Sequence, residues 1–213
     1  MPSPVAQPEF RSILMLVPVF NPPAQYLDAM IASVRAQGYP RWELCLADDA
    51  STENYVRPLL EDYAREDPRI LPIYRSKNGH IAEATNTALK QARGDFVALL
   101  DHDDLLAPAA LENVVKAIRQ RNDIQFIYTD RDKIDDNGRH FDLELRGDWN
   151  PAMALTHNYL HQFTVIRRSL TEQVGGFRKN YFGSQDLDLY LRIHELIAPS
   201  QIMHLPVVAY HWR

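Results

Sequence analysis

The sequence predicts an α/β fold with a mostly parallel central sheet and helices on both faces. Three observations carry the prediction. Short apolar runs at Ile13–Phe20, Trp42–Ala47, Ile70–Tyr74, Phe96–Leu100 and Gln125–Thr129 each end in polar or turn residues, as strands buried on both faces do. Stretches of helical period lie between them, and strand alternating with helix implies βαβ units. The rhythm breaks after residue 130, where an irregular half rich in His, Asn and aromatic residues begins.

Taken in order, residues 1–11 contain prolines and no basic n-region, so a flexible tail is expected there rather than a secretory signal. After the first apolar run, Tyr26, Leu27, Met30, Ile31 and Val34 share one helix face. Leu111, Val114, Val115 and Ile118 share another, and Pro108 suits that helix's first turn. Strand five is expected to end at Asp130-Arg131-Asp132. Asp135-Asp136-Asn137-Gly138 then marks a turn. A last helix is expected from about Asp186 to Leu196, followed by an apolar run from Ile202 to Trp212.

Composition narrows the function classes. With 213 residues, 46% hydrophobic and 24% charged, the chain can bury a substantial core, and disorder or coiled coil is a poor fit. A net charge of -5 with scattered Lys and Arg argues against nucleic-acid binding. The lone Cys45 excludes disulfides and cysteine-ligated zinc, and its apolar run marks it as a core residue. The longest apolar stretch, Ile13–Phe20, is far below the ~20 residues that cross a bilayer. A cytoplasmic protein is expected, with contact at the inner face of the membrane left open.

Ligands of open α/β sheets bind outside the carboxyl ends of the strands, so those ends carry the functional signal. They read Pro18-Val19-Phe20-Asn21, Asp48-Asp49-Ala50-Ser51, Asp101-His102-Asp103-Asp104 and Asp130-Arg131-Asp132. Carboxylates gathered on one rim repel each other unless they share a cation. Mg²⁺ or Mn²⁺ takes oxygen ligands and completes its shell with substrate phosphates. The pattern points to a metal–diphosphate site. Helix capping is the alternative for Asp49 or Asp104 taken singly, but it does not account for acids at three strand ends at once.

These segments, with Asn78-Gly79-His80-Ile81, Tyr128-Thr129-Asp130-Arg131-Asp132, Asp148-Trp149-Asn150-Pro151 and Gly183-Ser184-Gln185-Asp186, resemble family 2 glycosyltransferases of the GT-A fold. The later motifs are similar to those of bacterial members that build O-antigen, rhamnan and other surface polysaccharides. The resemblance implies one domain at 12–213, with a nucleotide-sugar half at 12–130 and an acceptor and catalytic half at 131–213. It implies that Pro18, Phe20 and Asp48 or Asp49 hold the donor's base and ribose. Asp101 and Asp103 would form the DxD motif, with Asp103 on the metal and Asp101 toward ribose or a metal-bound water. Asp186 would be the base that deprotonates the acceptor hydroxyl and Asp188 a structural neighbour. Asp186 as a helix cap is the competing role.

His211 is similar to a late family histidine that approaches the metal or diphosphate; packing against Trp212 is the equal alternative. Asn78, His80 and Asp130 are candidates for the donor side. Trp149 is a candidate for a sugar contact, with core packing close behind. His157, Asn158, His161 and Gln162 could line the same cavity, and Asn86 could face the donor. His102 has no assigned role beyond orienting one of the acids. Two departures stand out: Thr85 occupies a position where many members carry Arg, and the chain ends at Arg213 where relatives continue, so a truncated domain is expected. The implied reaction is inverting transfer from a UDP- or dTDP-sugar to a saccharide or polyprenyl-linked acceptor.

Two other functions compete. A sugar-phosphate nucleotidyltransferase would need a Gly-rich basic loop where Val19-Phe20-Asn21-Pro22-Pro23 stands. A non-catalytic carbohydrate- or nucleotide-binding domain would not be expected to keep Asp101, Asp103 and Asp186 together. The spacing of Asp135, Asn137, Gly138 and Glu144 imitates an EF-hand loop, but the first position falls on Lys133.

Overall fold

Successive residues of a strand point to opposite faces, and here both faces find a core. The computed structural model describes residues 12–213; the tail expected at 1–11 lies outside the described residues. The first half runs β1 (Ile13–Val19), α1 (Ala24–Arg35), β2 (Trp42–Asp48), α2 (Val56–Glu66), β3 (Ile70–Tyr74), α3 (His80–Gln91), β4 (Phe96–Leu99), β5 (Leu105–Leu106) and α4 (Ala110–Gln120). The second half runs β6 (Phe126–Ile134), β7 (His140–Glu144), α5 (Pro151–Thr156), β8 (Thr164–Arg167), α6 (Arg168–Gln173), α7 (Gln185–His194) and β9 (Ile202–Trp212).

From β1, Ile13, Met15, Val17 and Val19 join the apolar faces of α1, α2 and α4 in one core. Leu14 and Leu16 join α3, α6 and α7 in the other. The shared faces expected of α1 and α4 are the buried ones, except that Tyr26 is only half-buried. Pro108 stands ahead of α4 rather than in its first turn, because Ala109 takes a left-handed conformation (φ 61°) before the helix starts. Cys45 is buried, and desolvation pushes its thiol up to about 12, so it is inert core.

The strands form one sheet in the order β3-β2-β1-β4-β8-β6-β9-β5, with β7 on β6. Strands β1 to β4 are parallel, and β6 and β9 run the same way. The mostly parallel sheet is therefore joined across an antiparallel β8, which the sequence did not announce. The carboxyl ends of β1, β2 and β4 share one rim, with Val19 level with Asp48.

One strand differs from expectation. β6 does not end at Asp130-Arg131-Asp132 but continues through Ile134, flanked by β9 and by β8 and β7. Its acidic and basic residues are tolerated inside the sheet because neighbouring strands supply partners, among them Glu144 for Arg131.

The second core contains an unpaired histidine. His194, on α7, packs its ring 3.9 Å from that of Trp149 and 4.8 Å from that of Phe126, and neither ring nitrogen has a hydrogen-bond partner among the described residues. Burial lowers its pKa to about 4. A group depressed from about 6.5 supports the fold fully above that pH and loses its contribution as pH falls toward 4. Wild type should thus lose more stability between pH 7 and 4.5 than His194→Phe does. Urea midpoints at the two pH values check this, and an equal drop in both proteins would refute it.

Candidate active site

The loops at the rim are fixed before any ligand is considered. Asn21 follows β1 in a left-handed conformation (φ 47°) and Ala50 follows β2 in another (φ 61°). Asn21 Oδ1 accepts from the N–H groups of Thr52 (2.8 Å) and Glu53 (3.1 Å), and its own N–H donates to Ser51 Oγ (3.0 Å). Asp48 Oδ1 accepts from Ser51 N–H at 3.0 Å. The two strand ends are thereby locked together.

Asp49 joins the third rim segment. Arg75 Nε donates to its Oδ1 at 2.6 Å, and the Gly79 N–H reaches both carboxylate oxygens at 3.0 Å. Arg75 also donates to Glu83 Oε2 (2.7 Å), binding the first turn of α3 to the end of β2. Arg75 was not singled out from sequence; a lone Arg after a strand carries no pattern.

These loops enclose a cavity of about 510 Å³. Pro18, Phe20, Asp49, Asn78, His80, Asp101 and Asp103 all line it, so most of the candidate donor residues come together. Phe20 is 44% exposed, leaving its ring open to a flat partner. Ile81 and Ala84 supply an apolar wall from α3. His80 is exposed and meets Phe182 edge-on at 5.6 Å.

The acidic run is held from the far end of the chain. Tyr210 Oη donates to Asp104 Oδ2 (2.6 Å) and accepts from the Asp101 N–H (3.2 Å). Arg213 donates its N–H to Asp104 Oδ1 (2.8 Å) and its Nε to the Asp103 carbonyl (3.0 Å). Asp104 is buried and structural; burial, then the neighbouring Asp101, pushes its carboxyl up to about 7. His102 Nδ1 lies 3.1 Å from the Pro18 carbonyl oxygen, so it ties the run to β1 rather than orienting an acid. Among the described residues the Asp103 carboxylate has no protein partner.

Asp101 links this cavity to the candidate base. Burial first, then Asp103 and Asp186, raise its pKa to about 7. Asp101 and Asp186 line a small adjoining cavity of about 20 Å³, where Gln162 Nε2 donates to Asp101 Oδ2 at 3.0 Å. Asn158 Nδ2 donates to Asp186 Oδ2 at 2.8 Å. Asp188 instead pairs with Arg192 (2.6 Å), one turn further along α7. Arg192 in turn caps the Val174 and Gly176 carbonyls. Asn86 bonds both backbone groups of Phe177, closing that loop; the φ of 71° at Gly176 and the Asn86 oxygen 2.4 Å from where a Cβ would sit require glycine there.

Four candidates lie elsewhere. Asp48 does not line the cavity and is used within its own turn. Asp130 is mid-strand and 3% exposed, with His204 Nε2 at 2.8 Å and the Arg146 N–H at 2.8 Å. Trp149 stacks on Tyr159 and meets His194 at a tilt, against the second core. The His211 imidazole is hydrogen-bonded to Asp132 and edge-on to His140 at 4.5 Å, and does not line the cavity with Asp103. For Asp130, Trp149 and His211 a neighbour in space, invisible in the local sequence, engages the side chain.

The model of the glycosyl transferase family 2 matches residues 15–175. The chain belongs to this family. Relatives include an uncharacterized protein of Sinorhizobium fredii, 46% identical over 201 residues, covering 94% of this chain and 22% of that protein. The O-antigen biosynthesis protein RfbC of Myxococcus xanthus is 37% identical over 210 residues, covering 98% of this chain and 16% of its own length. The family 2 chain thus spans about a fifth of the length of these relatives. Two solved structures share the fold. S. aureus TarS with UDP-GlcNAc has a TM-score of 0.73 at 20% identity, over 94% of this chain and 58% of that one. The mannosyltransferase PcManGT of Pyrobaculum calidifontis, in complex with GDP-Man and Mn²⁺, has a TM-score of 0.71 at 20% identity, over 94% of this chain and 56% of that one.

Removing the Tyr210 hydroxyl would leave the buried Asp104 carboxylate and the Asp101 N–H each short of a partner. Tyr210→Phe should destabilise the fold by about 1–3 kcal/mol. Chemical denaturation measures it; an unchanged midpoint would mean that the tie contributes nothing.

Proposed function

We propose that this domain transfers a sugar, with inversion, from a UDP- or dTDP-linked donor to a glycan or lipid-linked saccharide during surface polysaccharide synthesis. The observation that carries the proposal is the Asp103 carboxylate, lining the cavity beside Asp101 with no protein partner among the described residues. Asp101, its proton affinity raised by burial and then by the Asp103 carboxylate beside it, suits with Asp103 a hard divalent cation with oxygen ligands. Mn²⁺ or Mg²⁺ held by Asp103, with Asp101 beside it, would supply Lewis-acid stabilisation of the departing nucleoside diphosphate.

The remaining roles belong to the chain's own side chains. Pro18 and the open ring of Phe20 would flank the base, and Asp49 is better placed for the ribose than Asp48. Asn158 orients Asp186, which takes the proton from the acceptor hydroxyl as the acceptor oxygen attacks the anomeric carbon. The bond to the diphosphate oxygen breaks on the opposite face, so the configuration inverts. Gln162 holds Asp101 between the donor cavity and this base. The GDP-Man and Mn²⁺ of the PcManGT complex, the UDP-GlcNAc of the TarS complex and the O-antigen role in the name of RfbC support the donor class and the product class. Among the described residues no helix is long and apolar enough to cross a membrane. A cytoplasmic site, meeting a lipid-linked acceptor at the inner membrane face, is part of the same proposal.

Calorimetry with UDP, dTDP and GDP, each with and without Mn²⁺, tests the donor site. One nucleotide should bind in a metal-dependent way, and Asp103→Ala should abolish that binding. Equal affinity without metal, or no binding by a folded chain, would overturn the proposal. Asp186→Asn should retain nucleotide binding while lowering transfer by about 10²–10⁴-fold, the usual range for a general base. Unimpaired transfer by that variant would remove Asp186 from the role.

A further inference from the structure

Away from the donor cavity, Asp132, His140 and His211 offer ligand atoms that all lie within 4.8 Å of one another. They stand on three adjacent strands. Asp132 on β6 is level with His211 on β9, and His140 begins β7, level with Ile134 two residues along β6. Residues two apart on a strand share a face, so the sheet itself sets the three side chains together. None of them lines the donor cavity.

The two oxygens of Asp132 are divided between the imidazoles. His140 Nδ1 lies 2.9 Å from Oδ2, and His211 Nδ1 is hydrogen-bonded to Oδ1. The neighbouring cations are occupied: Arg131 is bonded to Glu144, Lys133 to Asp142, and both approach the face of Trp212. Asp132 therefore meets nitrogen ligands rather than a fixed positive charge. His140 is 48% exposed at its side chain, so an ion can reach the group from solvent.

We propose that these residues form a second divalent-cation site, of a different kind from the acid pair at the DxD motif. Its two imidazoles and one carboxylate suit Zn²⁺, which takes three protein ligands and a water, over Mg²⁺. Ligand atoms at the usual ~2.0–2.2 Å in a tetrahedral set stand about 3.3–3.5 Å apart. To admit an ion the N···O pairs would open, and the wider separations, now within 4.8 Å, would close toward that spacing. The bound ion would join β7, β6 and the end of β9. That end carries Tyr210 and Arg213, which hold Asp104, so occupancy would brace the acidic run from behind.

Zn²⁺ titrated into nucleotide-free protein tests this, with His140→Ala and Asp103→Ala beside wild type and circular dichroism to verify folding. His140 is half exposed at the start of an edge strand, so its removal should leave the fold intact. One Zn²⁺ per chain should bind to wild type and to Asp103→Ala and raise the melting temperature of both. In His140→Ala the affinity should fall about 10-fold or more, in line with the cost of lost metal-site contacts, and the thermal shift should vanish. Mg²⁺ at the same concentrations should produce no such shift. Zn²⁺ binding that survives His140→Ala, or that is lost in Asp103→Ala instead, would overturn the proposal. So would absence of stoichiometric binding to wild type. A failure here leaves nucleotide binding at Asp103 untouched, so the two sites are judged separately.

Discussion

Parallel strands deliver their carboxyl ends to one rim, and this chain gathers acids at those of β2 and β4. Like charges gathered in partly desolvated surroundings must be protonated, paired or bridged. The structure assigns each acid its own solution. Asp49 has Arg75, Asp104 has Tyr210 and the Arg213 backbone, and Asp188 has Arg192. What is left is Asp101, with a raised proton affinity, and Asp103 beside it. These two are the acids left for the proposed cation once the others have been satisfied.

That division depends on contacts across the whole chain. The Tyr210–Asp104 bond spans 106 positions and Asn158–Asp186 spans 28. Strand β8, antiparallel between β4 and β6, is the mechanical link. It carries the Asn158–Gln162 loop to the rim, where Gln162 meets Asp101 and Asn158 meets Asp186. The candidate donor cavity and the candidate base are thus positioned by the same short segment, one amide on each acid.

The part of the site that was legible in sequence is the part built from strand ends in the parallel half. Pro18, Phe20, Asp49, Asn78, His80, Asp101 and Asp103 converge because βαβ topology sends successive strand ends to the same place. Asp130 followed the same local pattern and was misplaced, since nothing near it signals that β6 continues to Ile134 between strands able to satisfy its polar residues. Trp149 is chemically apt for a sugar and His211 for a metal at Asp103, but their neighbours hold them away from that cavity: His194 and Tyr159 in one case, Asp132 and His140 in the other.

Sequence alone determined the alternation of strand and helix, the two-faced burial of the sheet and the crowding of acids at its rim. These follow from periodicity and from the order of residues within single elements, where the physics is local. Only the tertiary structure decided which acids are paired and which are left for a ligand. A carboxylate's role depends on whether Arg75, Tyr210 or Gln162 reaches it, and those partners come from segments whose approach depends on the register of the folded sheet. Tertiary register also gathered Asp132, His140 and His211 on one face, where no spacing along the chain would have placed them.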